Sequence, residues 1–280
     1  MNENIFDRIP TAQRITSRTN PLVSSLAKLE QAKHRREQQL FLAEGRKLSE
    51  EAAGREEIRY ILLRSDDGSV DSSLIDLAAA APDPRSVIVL PASTFDKIST
   101  ENAPQGIITV LAPFRTLHAA WDGAACASMR GNRVLAVDGV QDPGNLGTIL
   151  RTASAFGYSD ILLGGCADIY HPRTVRASMG ALFRSRIHIC ESLCGALSEL
   201  KNAGHRIISA ALAENVMTLG DASLAADDCI VIGNEGHGIS DEVLAVSDAV
   251  MKIPMAAGTE SLNAGTAAAV LMWEYYRNFR

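Results

Sequence analysis

Short apolar blocks alternate with longer amphipathic stretches along this chain, a pattern that predicts strands separated by helices. In the second half the predicted strands are 134–137, 161–163, 187–189, 207–210, 230–232 and 250–253. The predicted helices between and after them are 146–156, 174–182, 193–203, 241–246 and 264–278. Apolar strands separated by helices imply a mostly parallel sheet covered on both faces. Ligands of such sheets bind at the carboxyl ends of the strands, so the loops after Val137, Ile232 and Ile253 are where chemistry is expected.

The first half reads as a smaller α/β unit. Its first ~40 residues look helical and polar, with 28–36 as a charged helix face. A strand over 41–44 ends at Gly45, strands follow at 60–63, 87–90 and 107–111, and 73–81 is helical. The residues between Pro113 and Gly131 mix Pro, Gly and small side chains and read as a connector, with a short helix over 118–125. The expected organisation is a front α/β domain over 1–113, a linker over 114–130 and a second domain over 131–280.

Composition narrows the class. The 280 residues are 46% hydrophobic and 21% charged, as in a water-soluble globular protein, and no apolar run approaches the roughly 20 residues of a membrane span. The polar start is unlike a secretory signal. Five cysteines (Cys126, Cys166, Cys190, Cys194, Cys229) lie in or beside apolar segments and read as reduced thiols of a cytoplasmic protein. Cys190 and Cys194 are spaced to share one helical face, but nothing nearby completes a metal site.

The net charge of −6 does not advertise a polyanionic partner, but its distribution is uneven. Residues 1–47 hold nine Lys/Arg against five Asp/Glu, and 169–190 hold Arg173, Arg176, Arg184, Arg186, His171 and His188 with no acid. Two such patches, the first including Arg35, Arg36 and Arg46, suit a nucleic-acid backbone, because guanidinium forks match phosphate oxygens. Two solvated faces explain the charge equally well.

Three loops carry candidate chemistry. The first, Asp138-Gly139-Val140-Gln141-Asp142-Pro143-Gly144-Asn145-Leu146-Gly147, opens a helix in which Asn145 is placed to cap and Arg151 follows six residues later. Taken alone, Arg151 is a surface arginine on an amphipathic helix. The second, Gly233-Asn234-Glu235-Gly236-His237-Gly238, has three glycines in six residues around one carboxylate. It is neither a dinucleotide-binding fingerprint nor a phosphate-binding loop. The third follows Ile253-Pro254-Met255 and ends at Ser261-Leu262-Asn263, with Asn263 at the start of an alanine-rich helix.

These loops, in this order, resemble the three motifs of the SpoU (TrmH-like) branch of the knotted RNA methyltransferases. They are Asn145-Leu146-Gly147 with Arg151-Thr152-Ala153, then Gly233 to Gly238, then Ile253-Pro254-Met255 with Ser261-Leu262-Asn263. Arg176-Ala177-Ser178-Met179-Gly180-Ala181 is similar to the family's intervening segment, and Phe41-Leu42-Ala43-Glu44-Gly45 to its substrate-binding domain. The chain departs from many members at Ala264-Gly265, where they carry a β-branched residue and Ser.

The resemblance implies an α/β fold: a C-terminal parallel sheet with a deep trefoil knot, plus a smaller N-terminal α/β substrate-binding domain. It implies transfer of a methyl group from S-adenosylmethionine to a ribose 2′-hydroxyl of RNA, ribosomal RNA being favoured over transfer RNA, with no metal. Arg151 is the implied activating residue, either as a base helped by the RNA phosphate or as a stabiliser of the alkoxide. Glu235 is expected to orient Arg151, while Asn145, Ser261 and Asn263 position the ribose. Leu212, Gly233, Asn234, Gly238, Ile253, Met255 and Leu262 are the implied cofactor-binding residues, and Arg35, Arg36, Arg46, Arg173, Arg176 and Arg184 the RNA-binding ones. A homodimer through the C-terminal domain is implied as well. A non-catalytic RNA-binding or ribosome-assembly factor is the alternative of a different class. A nucleotide-dependent Rossmann enzyme is disfavoured because its glycine fingerprint is missing.

Overall fold

The computed structural model describes residues 2–79, 81–211, 216–220, 223–258 and 261–279. The chain divides into two compact units. The first runs to Phe114 and also takes in Tyr170–Phe183. The second comprises Arg115–Ile169 and Arg184–Arg280.

The front unit contains β1 (Asn2–Asn4), β2 (Gln13–Arg14), β3 (Phe41–Glu44), β4 (Ile58–Arg64), β5 (Ser69–Asp71), β6 (Val87–Leu90) and β7 (Ile107–Leu111). Five of them form a mixed sheet in the order β2-β6-β4-β7-β3, and β1 pairs with β5 apart from it. The first 40 residues are only partly helical. Helices Pro21–Ala27 and Ala32–Gln38 form there, but Gln13–Arg14 is drawn out as an edge strand against β6. Local polarity does not reveal a strand whose partner lies about 75 residues away.

The helix Pro172–Ser178 belongs to the front unit. Tyr170 stacks on Phe41 with ring centroids 4.5 Å apart, and Phe114 meets Phe183 edge-on at 5.2 Å. Gly180 is left-handed (φ +86°) and so close to Glu51 that a Cβ would lie 2.5 Å from its Cγ. The front unit is therefore discontinuous in sequence, which a division at residue 113 misses.

In the second unit eight strands lie parallel: β8 (His118–Ala120), β9 (Val134–Asp138), β10 (Asp160–Gly164), β11 (Arg186–Cys190), β12 (Ile207–Ala210), β13 (Met217–Thr218), β14 (Cys229–Ile232) and β15 (Ala249–Lys252). Their order is β13-β15-β12-β14-β9-β10-β11-β8. Val134, Leu135, Ala136 and Val137 are all fully buried, as expected of a central strand covered on both faces. All of the expected linker over 114–130 except Phe114 is part of this unit. His118–Ala120 forms the edge strand beside β11, followed by a 3-10 turn at Gly123–Ala125 and the helix Cys126–Met129, in place of a helix over 118–125.

The strand order positions the site. From β9 the chain proceeds through β10 and β11 to one side, then crosses to build β12, β14 and β15 on the other. Strand β14 pairs directly with β9, Ile232 opposite Val137. The loops after these two strands thus emerge side by side at the carboxyl edge, where the strand order reverses.

All five cysteines are free, three of them buried. Cys190 ends β11 and Cys194 lies in helix Leu193–Asn202, so the two do not share a helical face. No helix among the described residues is long and apolar enough to cross a membrane.

Candidate active site

The first loop enters helix Pro143–Ala155, which starts earlier than the apolar periodicity predicts. Its cap is Asp142, whose side chain accepts from the Asn145 amide at 2.8 Å, with Pro143 pre-set for the first helical position. Asn145 is therefore not the cap. The Asp-Pro dipeptide is the signal that would have identified the true start.

Asn145 is left free to act across loops. Its Nδ2 donates to Glu235 Oε1 at 2.8 Å, and its Oδ1 accepts from Asn263 Nδ2 at 2.9 Å. Asn263 is the cap of helix Ala264–Asn278, as its position predicted, and its Oδ1 accepts from the amides of Gly265 (3.0 Å) and Thr266 (3.3 Å). One residue from each motif thus joins a single hydrogen-bonded chain.

Glu235 also accepts from the amides of Gln141 (3.3 Å) and Asp142 (3.4 Å). Partial burial disfavours its charge, but the hydrogen bonds from Asn145 and these amides outweigh it and hold the carboxyl below its ordinary range. Glu235 does not orient Arg151 as expected. Arg151 is exposed and makes no hydrogen bond or ion pair with a described residue.

The second loop is folded on itself. Asn234 N donates to Gly238 O at 2.8 Å and Gly238 N returns the bond at 3.0 Å. Asn234 Oδ1 gathers the amides of Gly236 and His237, and its Nδ2 donates to Gly139 O at 2.6 Å. A Cβ at Gly233 would sit 2.4 Å from Gly238 C and 2.6 Å from Ile239 N, so only glycine fits. Asn234 and Gly238 thus build the loop, whatever else they touch. Composition gave no warning of a further clamp, in which Asp138 Oδ2 accepts from both Ser240 N and Ser240 Oγ at 2.8 Å.

In the third segment Ile253 and Met255 are half-buried just past β15, Ser261 is exposed, and Leu262 is 38% exposed despite its apolar side chain. Leu212 lies outside the described residues. Gly265 now has a packing reason: a Cβ there would lie 3.1 Å from Thr148 Cγ2, so glycine lets the last helix close on helix Pro143–Ala155.

The expected RNA-binding arginines separate into different kinds. Arg35 is 5% exposed, and its Nη1 donates to the carbonyls of Leu29 and Glu30, both at 2.7 Å. It fastens one helix to the preceding turn and is not a phosphate ligand. Arg46 is exposed but engaged by Ser73 and Asp71, and Arg176 is paired with Glu101. Arg36, Arg173 and Arg184 are exposed. Arg186 is held bidentately by the buried Asp160, at 2.7 and 2.5 Å.

Residues 132–273 match the SpoU rRNA Methylase family, and residues 20–109 match the MRM3-like substrate binding domain. The 23S rRNA (guanosine(2553)-2′-O)-methyltransferase RlmP of Bacillus subtilis is 31% identical over 262 residues, 93% of this chain and 98% of its own. The structure of an AdoMet-bound rRNA methyltransferase from Sinorhizobium meliloti superposes with a TM-score of 0.78 at 27% identity, covering 96% of this chain and 99% of that one. An RNA 2′-O ribose methyltransferase structure gives 0.77 at 28% identity, covering 95% and 98%.

Proposed function

The chain belongs to the SpoU rRNA methylase family, and from that membership we infer that it is an S-adenosylmethionine-dependent RNA methyltransferase acting on a ribose 2′-hydroxyl. The observation that carries this reading is the hydrogen-bonded chain Glu235–Asn145–Asn263, which ties the three motif loops together at the carboxyl edge of the sheet.

The residues present fit the cofactor. Ile253 and Met255 just past β15, and the exposed Leu262, offer apolar surface for an adenine, and the glycine-bearing loop that begins at Gly233 leaves β14 at the same carboxyl edge of the parallel sheet. These residues, with Leu212, Asn234 and Gly238, are the proposed cofactor-binding set. The bound cofactor supplies an electrophilic methyl group on a sulfonium.

The chain's own part is alignment and charge. Arginine keeps its proton in proteins, so Arg151 acts as a cation that stabilises the developing 2′-alkoxide while the hydroxyl proton passes to solvent or an RNA phosphate. It has no partner among the described residues, which supports this role, because no ion pair with them has to break first. Glu235 holds Asn145, and Asn145, Ser261 and Asn263 orient the ribose. The acceptor is a group that DNA lacks.

Ribosomal RNA is the proposed substrate, supported by the likeness to an enzyme named for 23S rRNA. Arg36, Arg46, Arg173, Arg176 and Arg184 are the proposed RNA contacts, of which Arg46 and Arg176 would have to leave their carboxylates. A trefoil knot in the C-terminal segment is proposed, supported by a strand order in which β14 lies between the earlier-formed β9 and β12. A homodimer through the C-terminal domain is supported by Trp273, 45% exposed beside Phe156 and Tyr276 on the last helix. Cytoplasmic residence is supported by the five free thiols.

Mapping 2′-O-methyl riboses in total RNA from cells with and without the gene tests the reading. One ribosomal position is expected to lose its methyl group, and an unchanged map would contradict it.

A further inference from the structure

Most cations of the front unit are spent on internal partners. Arg8 is paired with Glu3 and Asp76, Arg64 with Asp96, Arg85 with Asp83 and Lys47 with Glu51. Lys97 differs. The residue is half-buried, and its ammonium donates to Arg18 O at 2.8 Å and to Ser24 Oγ at 3.2 Å, both neutral oxygens, and meets no carboxylate among the described residues. Withdrawing an ammonium from water without a counter-charge is costly.

Two further cations without a counter-charge among the described residues belong to the segments that Lys97 holds. Arg18 is the residue whose carbonyl Lys97 holds, and its own guanidinium is exposed with no partner among the described residues. Lys28 is equally free and follows Ser24 by four residues at the end of helix Pro21–Ala27. Positions four apart share a helix face about 5–6 Å from one another. The nearest acid in sequence, Asp96, is turned to Arg64 by two hydrogen bonds of 3.1 and 3.3 Å. The segment is pinned in place, since Thr94 Oγ1 donates to Thr16 O at 3.0 Å.

We propose that Arg18, Lys28 and Lys97 form a further phosphate-binding patch of the front unit that grips the RNA backbone. Arg18 and Lys28 lie in the basic stretch 1–47, but none of the three is among the arginines expected to bind RNA. A chain of net charge −6 gains little RNA attraction from its overall field, so a local cluster has to supply it. Contacts of this kind fix position without reading sequence. The proposal rests on the reading that the substrate is RNA.

The test is binding of a structured ribosomal RNA transcript to the full-length protein at several salt concentrations, without cofactor. Arg18→Gln/Lys28→Gln leaves the hydrogen bonds of Lys97 in place and is expected to fold normally. Its affinity is expected to drop on the order of tenfold, with the slope of log K against log salt smaller by roughly 1.4–1.8. Arg8→Gln/Arg85→Gln, which removes the same charge elsewhere, is expected to bind as the wild type. Equal affinity and slope in Arg18→Gln/Lys28→Gln and wild type would overturn the patch, as would an equal loss in the control variant. Methyl transfer at sub-saturating RNA is expected to fall with the affinity in Arg18→Gln/Lys28→Gln and to match the wild type in Arg8→Gln/Arg85→Gln. A wild-type protein that binds RNA through the patch but methylates none contradicts the enzymatic reading and leaves the patch standing.

Discussion

Asn145 Nδ2 lies 2.8 Å from Glu235 Oε1, and the direction of that hydrogen bond is dictated from the far end of the chain. Asn263 Oδ1 must accept from Gly265 and Thr266, so its Nδ2 faces Asn145 Oδ1, and Asn145 Nδ2 is left to face a carboxylate. Turning any one amide over would set donor against donor. The docking of the last helix and the ionised state of Glu235 are thereby linked through Asn145.

Replacing Glu235 by Gln keeps the size but sets an NH2 donor either against the Gln141 amide or against the Asp142 amide and Asn145 Nδ2. The expected result is a kcat lower by about tenfold or more, with unfolding little changed because the site is exposed. Single-turnover methyl transfer measures it, and a wild-type rate would remove Glu235 from its positioning role.

Gly233→Ala should destabilise by about 1–3 kcal/mol, since the new methyl group would meet the Gly238–Ile239 backbone rather than a side chain able to swing away. Gly236→Ala is the control: its Cβ would come no nearer than 3.7 Å to Asn234 Oδ1, and stability should hold. Denaturant unfolding of the pair checks this, and equal midpoints would contradict the close approach.

Adjacent arginines should behave oppositely. Arg35→Ala loses the bonds to the Leu29 and Glu30 carbonyls, the first of them buried, and is expected to cost about 2 kcal/mol of stability. Arg36→Ala is expected to leave stability unchanged and to weaken RNA binding. Thermal unfolding and RNA titration of both variants decide it.

Asp160 sets an acid limit on the second unit. Burial by itself would favour the neutral acid, but hydrogen bonds from His188 and Arg186, with the charge of Arg186, outweigh it and hold the carboxyl far below its usual range. Its folded pKa is depressed, so its contribution is complete above the unfolded value of about 3.9 and is lost as pH falls through the folded one. Asp160→Asn should cost about 3 kcal/mol at pH 7 and flatten the loss of stability below pH 4. Unfolding free energies at pH 7 and pH 3 measure this, and parallel losses in both proteins would contradict it.

The elements that were legible in sequence are those whose signal is local. Strands β6, β7 and β12 match their predicted bounds because each is a short run led by Val, Ile or Leu, the first two closed by a nearby proline, and the last helix is framed by its own cap, Asn263. Strands β2 and β8 escaped because only a distant partner makes them strands. The transfer of Tyr170–Phe183 to the front unit escaped because it depends on aromatic contacts with Phe41 and Phe114. At the site, residue types were readable and partners were not. Glu235 sits six positions before Asp241, yet it reaches back about 90 residues to Asn145, a pairing made only by the adjacency of β14 and β9. Arg35 was mistaken for a surface charge because an arginine that ties carbonyls looks, in sequence, like its exposed neighbour.

The most direct measurement is the rate of methyl transfer to ribosomal RNA by wild type and by Arg151→Ala, with the modified ribose located. The wild type should place the methyl group on a ribose 2′-oxygen. The variant should retain cofactor affinity and thermal stability while losing at least roughly 100-fold in kcat, the scale for removing a transition-state donor. A variant as fast as the wild type, or a methyl group found on a base, would contradict the assignment of Arg151 as the cation that stabilises the alkoxide.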